Sequence, residues 1–127
     1  MILAVSQEMR YQTSLKERCF SLAAELFRAA PQISRAGPQQ AHIAQQLFRA
    51  ASSVGASLKE GEVALSRKDM AHKHALALRE ARETAYWLRM LAQAGESTEA
   101  LEPLRQEASE IVAMLTASVK KLRESQK

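Results

Sequence analysis

Glu80 and Glu83 lie one helical turn apart in the stretch Arg79-Glu-Ala-Arg-Glu-Thr84, and His72 and His74 precede them. Carboxylates at this spacing with imidazoles nearby are raw material for acid–base chemistry or a metal site. A di-iron bundle needs Glu-x-x-His on two helices, and that tetrapeptide occurs nowhere in the chain. His72 and His74 are two apart and so point to different helix faces. His74 falls on an apolar stripe and reads as a hydrogen-bonded core histidine, whereas His42 stands alone near a helix start. Cys19 is also on an apolar stripe, where a buried thiol acts as a small hydrophobe. No Cys/His or Ser/His/Asp pattern and no glycine-rich phosphate loop is present. The expectation is no catalytic residue, no metal and no cofactor.

Glu80 and Glu83 then need a partner. If the turn between the second and third helices centres near residue 64, Arg49 comes level with residues 79–83. An ion pair of Arg49 with Glu80 or Glu83 would fix the register of that helix pair. The alternative is a solvated surface pair worth ~0–1 kcal/mol. An enzymatic alternative keeps Glu80 and Glu83, with a histidine, in a small site between subunits.

The elements that position these residues follow from periodicity. The 127 residues suit one domain, 1–127, rich in the helix formers Ala, Leu, Glu, Arg, Gln and Lys. Four segments carry apolar residues at alternating three- and four-residue spacing. They predict helices at about 15–35, 38–61, 67–94 and 101–125, with residues 1–13 unassigned. Ser14-Leu-Lys-Glu17 and Ser66-Arg-Lys-Asp69 read as capping boxes. Pro38 suits a first helical position, Pro31 should end or kink its helix, Gly95 should cap the third helix, and Pro103 should mark the first turn of the fourth. Nothing alternates with period two for long enough to be a strand. Short connections make sequential helices antiparallel. The fold class is therefore all-α, a single antiparallel up-and-down four-helix bundle.

The single cysteine excludes an internal disulfide framework and suggests a reducing compartment. Met1-Ile-Leu-Ala-Val5 is too short for a signal-peptide core, and no apolar run approaches the ~18 residues of a membrane span. A cytoplasmic protein without a membrane partner is expected.

Two anomalies concern packing. Small residues crowd the second helix, and Ala50, Ala51, Ser53, Val54 and Gly55 predict close helix approach, although glycine inside a helix costs up to ~1 kcal/mol against alanine. Conversely, apolar bulk lies off the stripes at Phe20, Phe27, Phe48, Leu76, Tyr86, Trp87 and Met90. Tyr86 and Trp87 could stack on a nucleic-acid base, but bundle or subunit packing is the favoured reading. One bundle cannot hide all of them, which predicts a cyclic homo-oligomer.

Charge adds a third clue. The net charge of +4 permits nucleic-acid contact without demanding it. Acids Glu96, Glu99, Glu102, Glu107 and Glu110 open the fourth helix, and Lys120, Lys121, Arg123 and Lys127 close it, an order that also complements the helix dipole. In an up-and-down bundle its basic end lies beside Lys16, Arg18, Arg67, Lys68 and Lys73. A ring of copies would turn these ends into a positive rim able to meet phosphates.

Two stretches carry a resemblance: Gln46-Leu-Phe-Arg-Ala-Ala-Ser-Ser-Val-Gly-Ala-Ser-Leu-Lys-Glu-Gly61, and Leu78-Arg-Glu-Ala-Arg-Glu-Thr-Ala-Tyr-Trp-Leu-Arg-Met-Leu91 with Ser66-Arg-Lys-Asp69 before it. From about Leu15 to Leu122 the chain resembles the bacterial four-helix-bundle family named after proteins encoded in 23S rRNA intervening sequences. The accessory variability determinant of diversity-generating retroelements is similar to that family. The sequence departs at Ser57, where the family usually has Asn, and at Met70, where it usually has Phe. The resemblance implies an antiparallel bundle, a homopentamer and no enzymatic activity, with RNA or a nucleoprotein as partner. The expected function is a non-enzymatic scaffold or binding module. The alternatives are the inter-subunit enzyme and a purely structural oligomer without ligand.

Overall fold

The computed structural model describes residues 14–94 and 99–124. Among them are four α-helices and no strand: α1 (Leu15–Arg35), α2 (Pro38–Gly61), α3 (Arg67–Ala94) and α4 (Glu102–Glu124), the last preceded by a 3-10 turn at Glu99–Leu101. The Gly95 cap, the Glu96 contribution, residue 125 and Lys127 lie outside the described residues, as do residues 1–13.

Local chemistry sets the helix starts. The Ser14 hydroxyl accepts from Glu17 N–H at 3.2 Å and begins α1. Gly37 holds φ 155° beside Pro38, a backbone that side chains rarely adopt. Ser66 accepts from Asp69 N–H at 3.0 Å and starts α3. Pro103 is the second residue of α4. Pro31 does not end its helix: α1 continues through it to Arg35. Its ring is on the exposed side, so the missing N–H leaves no polar gap in the core.

Sequential helices pack broadly against each other, and the bundle closes where α4 meets α1 across a narrower seam. Leu22 and Leu26 of α1, Leu47 of α2, Leu88 of α3 and Ile111 and Leu115 of α4 fill the centre. Ala50, Ala51 and Val54 are buried in α2, and Ala77 and Ala81 are buried in α3. Small side chains on both of these helices let α2 and α3 share a broad contact.

Two of the small residues of α2 sit in looser surroundings than Ala50 and Ala51. Ser53 is only half-buried and donates to Arg49 C=O at 2.8 Å. Gly55 does not face a crowded backbone, because an added Cβ would find its nearest neighbours at 3.9 Å (Cys19 Cβ) and 4.0 Å (Phe20 N), ordinary contact distances. Gly55→Ala should therefore raise stability by about 0.4–1 kcal/mol, read as a higher urea midpoint. A lower midpoint would show that the position is tighter than its geometry indicates.

Candidate functional site

An apolar groove of about 1130 Å³ runs between α1 and α2. Ala24, Ala51, Gly55 and Ala56 line it with small side chains, and Phe20, Phe27 and Phe48 supply its bulk. Phe27 and Phe48 contact across the helix pair, ring centroids 5.5 Å apart. Phe20 and Phe27 are 75% and 64% exposed. The bareness of α2 on this side therefore shapes a groove that the chain itself leaves open among the described residues.

The other off-stripe residues do not join this face. Trp87 is half-buried against the core, touches the ring edges of Tyr86 (5.4 Å) and His42 (6.4 Å), and donates from Nε1 to Glu83 at 3.3 Å. Leu76 and Met90 are half-buried. Tyr86 alone of this group projects, at 56% exposure.

Arg49 reaches both α3 carboxylates. Nη1 donates to Glu80 at 3.3 Å and Nη2 pairs closely with Glu83. The Arg49 side chain is 47% exposed, so solvent screening holds the pair near the surface value of ~0–1 kcal/mol. Both carboxylates are engaged there, and Glu83 also serves Trp87. Among the described residues no group of three or more His, Cys, Asp or Glu is placed to hold a metal ion.

At the basic end, Lys68, Lys120, Lys121 and Arg123 are exposed, as is Arg67. Lys16 pairs with Glu62, and Lys73 with Glu60 at 3.2 Å. Arg18 does not belong to this surface. It is 5% exposed, because α1 turns this side chain toward α4. There Nε and Nη2 grip Glu107 at 2.9 and 2.5 Å, and Nη2 also meets Glu110 at 3.2 Å. Nη1 lies 3.1 Å from Met114 Sδ. The Glu107 hydrogen bond, opposed by burial, raises the Arg18 pKa. Glu107 is 1% exposed, so it cannot contribute to a solvated acidic end as its sequence position suggested. The sequence signals this pair only weakly: Arg18 and Glu107 each adjoin a buried apolar residue, Cys19 and Ala108. Burial, and after it the Glu107 charge, pushes the neighbouring Cys19 thiol up to about 12, which leaves it unreactive at neutral pH.

His74 is half-buried, with Nδ1 2.8 Å from Ser118 Oγ on α4. Burial lowers its pKa below the ordinary 6.5. Where pH lies between the two values, the unfolded chain holds a proton that the folded chain refuses. The contribution is complete above the unfolded value and is lost as pH falls through the folded one. Urea midpoints should thus drop on acidification, and drop less in His74→Leu than in wild type. Equal pH dependence in both proteins would remove His74 as the cause.

No helix among the described residues is long and apolar enough to cross a membrane. No curated protein matches the chain. A solved structure from Bacteroides thetaiotaomicron, described as a protein of unknown function from the S23 ribosomal protein family, is similar at 26% identity and a TM-score of 0.74. The likeness covers 84% of this chain and 99% of that one. The 23S rRNA-intervening sequence protein family matches residues 11–117, a span that takes in the groove, the Arg49 cluster and the Arg18–Glu107 pair. The chain belongs to that family.

Proposed function

We propose that this protein is a non-enzymatic scaffold whose copies join through the α1/α2 groove into a closed ring. The observation that carries this reading is the groove itself, with Phe20 and Phe27 mostly in water. The groove lining runs from Ser14 to Arg28 on one side and from Phe48 to Glu62 on the other, about 21 Å along each helix. A ring of five copies follows from the family resemblance. Each copy would present the same basic end, with Lys68, Lys120, Lys121 and Arg123, to structured RNA or a nucleoprotein.

Engagement of Glu80 and Glu83 by Arg49 argues against the inter-subunit enzyme. Pairing of Lys16 and Lys73 with acids at the basic end favours, as a second reading, a purely structural oligomer. Light scattering of the purified protein tests the assembly, with a mass several times 14.1 kDa expected. A single-chain mass at micromolar concentration would end both oligomeric readings.

A further inference from the structure

The outer side of α3 carries charge that the bundle does not neutralise. Lys68, His72, Arg79, Arg82, Tyr86 and Arg89 recur at three-, four- and seven-residue intervals and are all exposed. That spacing keeps them on one helix face, over about 31 Å from Lys68 to Arg89. Among the described residues, neither Arg82 nor Arg89 has an ion-pair partner, and Arg79 only approaches Glu80 at 3.8 Å. The acids that could compensate them are committed elsewhere. Glu80 and Glu83 face Arg49 in the α2/α3 seam, and Glu107 and Glu110 of α4 face Arg18. Like charges one turn apart, as at Arg79 and Arg82, repel each other and weaken a helix.

Within this stripe stands one aromatic ring. Tyr86 has Arg82 one turn before it and Arg89 one turn after it. Its contact with Trp87 is edge-on, with the ring planes 73° apart, so the two rings do not stack on each other. Cations flanking an open aromatic ring suit a strand that offers phosphates and unpaired bases together. A duplex keeps its bases stacked inside and would leave Tyr86 idle.

We infer that the α3 flank is a binding track for single-stranded nucleic acid, in which Arg79, Arg82 and Arg89 hold phosphates and Tyr86 stacks on a base. This rests on the nucleic-acid part of the proposed function but assigns the contact to a different surface from the bundle end. The α1/α2 groove does not include these residues, so the track stays compatible with assembly there.

The test is fluorescence anisotropy of a labelled, unstructured single-stranded RNA against wild type over a range of salt, with light scattering and melting curves on each variant. Arg79→Ala/Arg82→Ala/Arg89→Ala should reduce the salt slope by about 2 and weaken binding about a hundredfold at roughly 0.1 M salt, from ~0.7 of slope per phosphate on a single strand. Should that variant melt early, Arg82→Gln alone should lower the slope by about 0.7. Tyr86→Ala should weaken binding roughly tenfold without changing the slope, and Tyr86→Phe should bind as wild type. Unchanged binding in the arginine variants, with loss in Lys120→Ala/Lys121→Ala/Arg123→Ala, would overturn the track and leave the bundle-end reading standing. Equal competition by polyglutamate would assign the stripe to acidic protein instead and also overturn it. No binding of wild type even at low salt would remove the nucleic-acid reading and the track with it.

Discussion

Glu107→Ala should destabilise the fold by about 3–5 kcal/mol, the largest effect of any single substitution considered. Arg18 is 5% exposed and its guanidinium is shared between Glu107, Glu110 and Met114 Sδ. Removing Glu107 takes away both short hydrogen bonds at once, and the Glu110 carboxylate, 49% exposed, replaces them poorly. A cation would then remain in the seam between α1 and α4, which is narrower than those between sequential helices. Urea unfolding would report the loss as a lower midpoint. The apolar replacement Arg18→Met/Glu107→Leu should recover most of it, because a buried pair gives little net stability over well-packed hydrophobic side chains. A double variant as unstable as Glu107→Ala would show that the pair stabilises the seam in its own right. A near-neutral Glu107→Ala would show that Arg18 escapes to solvent.

Phe20→Glu/Phe27→Glu should reduce the particle to a single chain of 14.1 kDa while leaving the helices folded. Both rings are already mostly in water in the isolated chain, so their loss removes little of its own packing. In an assembly they would occupy the centre of the buried face, where each aromatic anchor is worth ~2 kcal/mol or more. Two such losses, with two carboxylates added, weaken association at least about a thousandfold. Light scattering and far-ultraviolet circular dichroism together decide the matter. Retained mass would move the interface off the groove, whereas lost helicity would mean that the rings support the fold itself. Tyr86→Ala serves as the contrast, since Tyr86 lies away from the groove and should leave the mass unchanged.

Much of this architecture can be read in one dimension. Ser14, Ser66 and Pro38 mark helix starts through chemistry confined to a few neighbouring residues, and such signals survive in any tertiary setting. The apolar stripes identify which side of each helix turns inward. Placing the second turn near residue 64 brings Arg49 level with Glu80 and Glu83, and Arg49 meets both. At Pro31 the tertiary context chooses between ending and continuing the helix: the ring sits on an exposed side, and α1 runs on to Arg35.

Charged and small residues were less legible. Lys16 and Arg18 are two positions apart in one basic cluster, yet Lys16 meets solvent and Glu62 while Arg18 turns into the seam. Periodicity gives the direction of a side chain, but not the carboxylate 89 positions away that makes burial tolerable. Gly55 and Ala56 carry the same small-residue signature as Ala50, but line an open groove rather than a closed contact. Sequence by itself determined the helices, their order and the apolar excess of the chain, because these depend on local propensity and on the 3.6-residue period. Only the tertiary structure decided which cations are consumed and which small residues form a surface, because both depend on what the neighbouring helix brings to the same point in space.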